Sequence, residues 1–185
     1  MDELLAKVSY LDKQIFYAFI DFAKTNPPIM EFAEWFSVFG VIVVALSLIY
    51  LVGRERIHAL FTAALAVIFS SFIYCLLYLL WQSPETLITY ASEYARISSV
   101  IDYKFPSGQI YLSFSITSAV LLRGHKKLGA FLIVISTATA LSRIATGLIY
   151  PSGAIASLII GVASGILAFW FMEYFEDFWS SHQAE

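Results

Sequence analysis

Two short stretches of this sequence hold residue types that can grip an anion. The first, Tyr103-Lys104-Phe105-Pro106-Ser107-Gly108-Gln109, stands immediately ahead of an apolar run. Pro followed by Ser and Gly predicts a helix start, where the first backbone N–H groups lack partners within the helix and point outward with the positive end of its dipole. Such an end can hold a phosphate, and an ordinary capped helix begins the same way. The second stretch is Ser142-Arg143. An arginine within a membrane span costs at least ~2.5–3.5 kcal/mol on insertion scales, so it is expected to meet an anion or a wet cavity unless it snorkels from a helix end. On one membrane face, Arg143 with Ser107 and Gly108 would form a pocket for a phosphate or another anionic head group. Lys104, at the pocket entrance, could add a second cation, although a plain loop charge is the simpler reading.

Groups that could break a bond are scarcer. Tyr150, Ser152 and Ser107 carry hydroxyls, but no histidine stands near them in sequence to activate a nucleophile. Glu85, Glu93 and Asp102 lie in a neighbouring polar stretch and are the candidate bases. The three histidines, at 58, 125 and 182, fall outside the apolar runs, so no histidine metal site is expected. One cysteine, Cys75, excludes a disulfide within the chain. No cofactor or metal is implied, and nothing basic and aromatic is arranged to bind nucleic acid.

What must position these residues is a set of membrane helices. Of 185 residues, 59% are hydrophobic and 14% charged, with mean hydropathy +0.77, against roughly 25% charged in soluble domains. Charge-free runs cover 35–53, 59–84, 105–122, 128–142 and 144–172. A hydrocarbon core about 30 Å thick needs a helix of roughly 20 residues, and these runs supply that length once the 128–142 run is continued through Arg143. The reading is an all-α, polytopic bundle of about six transmembrane helices forming one domain over 1–185. Residues 1–28 make an amphipathic or first helix ended by Asn26-Pro27-Pro28, and 29–82 make helices two and three. An extracytoplasmic loop covers 83–106, with a short helix near 85–97. Residues 107–173 form the motif-bearing helices (about 107–122, 128–148 and 153–173), and 174–185 form a cytoplasmic tail.

The stretches 53–56 and 123–127 are rich in Lys and Arg and lie two spans apart, so both face the cytoplasm by the positive-inside rule. The 83–107 loop, the Tyr150-Pro151-Ser152-Gly153 break and hence the anion site then face the extracytoplasmic side of the plasma (cytoplasmic) membrane. The first helix carries Lys7, Asp12, Lys13 and Asp21, so lying along the surface is open to it as well as spanning. Gly161 and Gly165, four apart in the last helix, would allow close helix approach, more simply inside one bundle than between two.

Taken together, Phe105-Pro106-Ser107-Gly108, an apolar helix, a basic turn, and Ser142-Arg143-Ile-Ala-Thr-Gly-Leu-Ile-Tyr-Pro-Ser-Gly153 resemble the type 2 phosphatidic acid phosphatase family. The likeness runs from about 75 to 173. In that family the second motif reads Pro-Ser-Gly-His, and the third reads Ser-Arg, five residues, His, three residues, Asp. The resemblance implies that the third-motif histidine attacks phosphorus, the aspartate orients it, and the second-motif histidine protonates the leaving oxygen. At those positions this chain has Ile149, Gly153 and Gln109. The first motif, Lys, six residues, Arg-Pro, also fails: with Ser83-Pro84 aligned to Arg-Pro, its lysine position is Leu76.

The catalytic set is thus absent while phosphate-holding Ser107, Gly108 and Arg143 remain, with Lys104 as an addition. The resemblance implies a pseudoenzyme that binds an anionic phospholipid or polyprenyl phosphate head group, its partners being membrane lipids. One alternative is an active lipid phosphate phosphatase of altered mechanism, hydrolysing a phosphomonoester or diphosphate lipid. Another is a lipid transporter or membrane assembly partner whose pocket is closed by side chains, Ile149 among them.

Overall fold

The computed structural model describes residues 2–52, 56–80 and 106–182. Among them the regular structure is entirely helical: α1 (Asp2–Thr25), α2 (Pro27–Val52), α3 (Ile57–Leu80), α4 (Gly108–Leu122), α5 (Lys126–Ala145) and α6 (Pro151–His182). Four are long and apolar enough to cross a membrane, over Pro27–Leu51, Ile57–Leu77, Lys126–Ala145 and Pro151–Ser181. Their outward faces carry Ile49, Phe72, Leu79, Val134 and Trp170, each more than 60% exposed, which is stable only with lipid as solvent. The chain is an integral membrane helix bundle.

The helix boundaries follow local chemistry. Asn26 closes α1 through Nδ2 to the Phe22 carbonyl, and its own carbonyl receives the Ile29 and Met30 amides. Pro27, at the first position of α2, loses nothing by lacking an N–H there, so α2 starts two residues before the expected 29. Glycines in left-handed conformation end α4 and α5: Gly124 at φ 80° and Gly147 at φ 77°. In each case the next residue's amide reaches five residues back, His125 to the Val120 carbonyl and Leu148 to that of Arg143, which is the Schellman arrangement. α5 therefore stops at Ala145 and not at the expected 148. At the other extreme, α6 does not stop near 173. It continues to His182, because nothing in Glu173-Tyr-Phe-Glu-Asp-Phe-Trp breaks a helix and its acids find partners on neighbouring helices.

α4 is the centre of the bundle, packing against α2, α3, α5 and α6, and ten of its fifteen residues are buried. Its interior is rich in hydroxyls, which satisfy themselves by bonding carbonyls a turn earlier (Ser113 to Gln109, Thr117 to Ser113, Ser118 to Phe114) or across helices (Thr117 to Ser136, 3.0 Å). Gly161 and Gly165 face α4. A methyl on Gly161 would come within 2.6 Å of the Tyr111 carbonyl oxygen, and one on Gly165 would strike the Ser118 side chain. The small-residue pair thus serves packing within the bundle.

At one end of the bundle the charges converge. Arg123 donates to Glu173 (2.9 Å), to both carboxylate oxygens of Glu176 (2.9 and 3.3 Å) and, through Nε, to the Thr62 hydroxyl (2.7 Å). His58 reaches Glu176 at 2.9 Å, and Arg56 Nη1 meets His125 Nδ1 at 2.9 Å. These contacts tie α3, α4 and α6 together where the basic turn 123–127 stands.

Candidate functional site

The opposite end holds the residues singled out from sequence. Arg143 lies in the last turn of α5, where the helix dipole favours a cation, and is 3% exposed. Its Nη1 donates to Oε1 of Gln109 at 2.8 Å and to the Ser37 carbonyl at 3.3 Å. Gln109 is the second residue of α4, so the guanidinium spans the gap to the helix start carrying Ser107 and Gly108. Ser107 is the N-cap of α4 by backbone conformation, but its hydroxyl makes no capping bond. That hydroxyl is fully buried and has no hydrogen-bond partner. Leaving such an atom unpaired costs on the order of 1–3 kcal/mol.

The geometry changes one expectation and adds detail to two other positions. The Ser107 amide, expected to face a ligand, donates instead to the Ser157 hydroxyl at 2.8 Å. Gly108 is not demanded by close approach, since a methyl there would meet nothing nearer than Tyr111 at 3.9 Å. Ile149 is 9% exposed and belongs to an apolar cluster with Phe16, Ile20, Ile110, Phe114, Ile144 and Ala154, so hydrocarbon fills the nucleophile's place in the resembled motif. Gly153 is buried at the start of α6, and its carbonyl accepts from Ser157. Lys104, Glu85, Glu93, Asp102, Ser83-Pro84 and the short helix expected near 85–97 lie outside the described residues. Leu76 is on the lipid-exposed side of α3, 46% exposed.

Sequence reading missed α1's part in this end of the molecule. Asp12, Phe16, Ile20 and Ala23 form one stripe along α1, four, four and three residues apart. Phe16 and Ile20, at 1% and 2% exposed, complete the cluster around Ile149, and the Phe16 ring lies 4.3 Å from that of Tyr150. Ala23 packs with Ala33 and Ala145. The Asp12 carboxylate accepts from the Ser152 amide (2.9 Å) and hydroxyl (2.6 Å), capping the first turn of α6. The available signal was Asp12 itself, an acid on the same face as two large apolar residues.

No family model matches the chain. Over 150 residues, 81% of this chain and 73% of the relative, it is 26% identical to the bacitracin transport permease protein BcrC of Bacillus licheniformis. Its fold is similar to the crystal structure of Aquifex aeolicus LpxE, with TM-score 0.60 and 18% identity, covering 85% of this chain and 94% of that one. That likeness is one of architecture: the chain has the helix bundle of the type 2 phosphatidic acid phosphatase-like fold.

Proposed function

We propose that this is a non-catalytic, lipid-phosphate-related membrane protein that binds a phosphorylated lipid head group at the Arg143 end of the bundle. The observation that carries the reading is the Arg143–Gln109 hydrogen bond, which sets a buried cation against the first turn of α4, beside the buried Ser107 hydroxyl. A phosphoryl oxygen entering there would exchange the neutral Gln109 acceptor for a charged one, a stronger partner for a guanidinium. The resembled motif positions supply no agent of hydrolysis: isoleucine cannot attack phosphorus, and glutamine cannot donate and recover a proton near neutral pH.

Depth favours a lipid over a soluble phosphate. From the charged cluster at Arg123, the fifteen residues of α4 climb about 22 Å, short of the roughly 30 Å hydrocarbon thickness. With Arg123 at the near boundary of the hydrocarbon, the α4 start would lie below the far membrane surface, within reach of a head group drawn inward. On the positive-inside assignment that surface is the extracytoplasmic face of the plasma membrane.

Purified protein heated with phosphatidic acid should melt higher than with phosphatidylcholine or with inorganic phosphate alone, and Arg143→Ala should abolish the gain. Gln109→Glu, which pairs Arg143 internally, should abolish it as well while leaving the protein folded. Equal melting with all three additions would end the proposal. The packing of Ile149 against Phe16 and Ile20 favours a second reading, an assembly partner with a closed pocket, and that is the reading equal melting would support.

A further inference from the structure

We propose that α1 is a displaceable roof over the Arg143 end of the bundle, latched by the Asp12 carboxylate on the first turn of α6. α1 is absent from the described helices apolar enough to cross a membrane. Its inner stripe meets the bundle end, whereas Tyr10, Leu11, Ile15 and Phe22 face outward at 46–62% exposure, interspersed with the exposed Lys13 and Asp21. That is the pattern of a helix lying in the head-group plane, which can shift without dragging charge through hydrocarbon.

Its attachment is separable from the rest of the fold. Pro27 and Pro28 prevent α1 and α2 from merging, since neither can donate the amide that a continuous helix needs, so the two meet at a joint around Asn26. The inner stripe makes two kinds of contact. Phe16 and Ile20 seal the Ile149 cluster from above, and Ile20 lies against Gly147, where an added methyl would approach its Cδ1 to 3.4 Å. The latch is the other contact: both Asp12 oxygens engage Ser152, at a residue that is itself exposed. The Ser152 amide and hydroxyl that hold the carboxylate would suit a phosphate oxygen in the same way, so an arriving head group would compete for the latch. Lifting α1 would uncover Ile149 and open the approach to Ser107 and Arg143. The head-group part of this inference rests on the phosphate-binding reading above; the mobility of α1 does not.

The test separates the two. In a full chain carrying Cys75→Ala, Ile149→Cys reports access beneath α1 through its rate of modification by a small charged methanethiosulfonate. Loss of a helix-capping carboxylate should raise that rate about five- to tenfold in Asp12→Ala, and less in Ser152→Ala, which keeps the amide bond and is the milder variant should Asp12→Ala prove poorly folded. Phosphatidic acid in the supporting vesicles should accelerate modification of the latched protein, and phosphatidylcholine should not. Rates unchanged by both latch substitutions would overturn the roof. Faster labelling in Asp12→Ala without any effect of phosphatidic acid would keep the roof and reject the head group as what lifts it. In a second chain, Asp12→Cys with Ser152→Cys oxidised to a disulfide should lose the phosphatidic acid melting gain and regain it on reduction; a gain that survives the crosslink would also count against the roof.

Discussion

Gly161 lies so close to Tyr111 that α6 and α4 meet backbone to backbone: a methyl on the glycine would come within 2.6 Å of the tyrosine carbonyl oxygen and 2.8 Å of Phe114 Cβ. Neither atom is the end of a flexible side chain. Gly161→Ala should therefore force the helices apart and destabilise the protein by about 1–3 kcal/mol, typical of overpacking. Gly108→Ala, whose methyl would meet Tyr111 at an ordinary contact distance of 3.9 Å, should change stability little. Unfolding midpoints in a detergent titration compare the two, and equal losses would refute the packing account.

Arg123 engages Thr62, Glu173 and Glu176 with a planar fork that an ammonium cannot reproduce. Arg123→Lys keeps the charge but should still cost about 1–2 kcal/mol, discounted because Glu173 and Glu176 are half and one-third exposed. The same titration, repeated at high salt, should leave most of the loss in place, since the bond to buried Thr62 is not an ion pair.

At the same end, Arg56 can only donate, so His125 Nδ1 must accept and the ring carries its proton on Nε2. Burial, and then the charge of Arg56, lower the His125 pKa from 6.5. A base whose folded pKa is depressed adds nothing to the pH dependence above its unfolded pKa. As pH falls below about 6.5 the unfolded chain binds the proton first, and stability declines. Melting temperature should drop between pH 6.5 and 5, and His125→Gln should flatten that slope. A parallel decline in both proteins would assign it elsewhere.

Ile149→His places an imidazole in a cluster of hydrocarbon and should lower stability by about 1–3 kcal/mol. Combined with Gln109→His and Gly153→Asp it rebuilds the resembled catalytic set around Arg143, and free phosphate released from phosphatidic acid should rise above that of the unsubstituted chain. No release from a folded triple variant would count against a usable phosphate site.

The bundle was legible in the sequence because its cause is composition: long charge-free runs separated by prolines, glycines and basic turns leave few arrangements in a membrane. Arg143 was legible for the same reason, as an expensive residue in an apolar run. Its partner was not, because Gln109 and Ser37 are 34 and 106 residues away and contribute one amide oxygen and one backbone carbonyl, neither of which has a compositional signature. The fate of the Ser107 amide depended on a serine fifty residues on, and the end of α5 on a left-handed glycine that reads equally well as helix interior. Cross-helix hydrogen bonds, and which of several local breakers ends a helix, are decided by tertiary packing, and so became visible only in three dimensions.

α6 extends for 32 residues, about 48 Å at helical rise, well beyond the roughly 30 Å of acyl-chain layer it crosses. Unless it leans steeply, its final turns project into water as a rigid stalk, braced at the base by Arg123 and His58. Ser152, near its start, and Phe178, near its end, stand about 40 Å apart along the same rod, so one uninterrupted helix sets the distance between the two ends of the bundle.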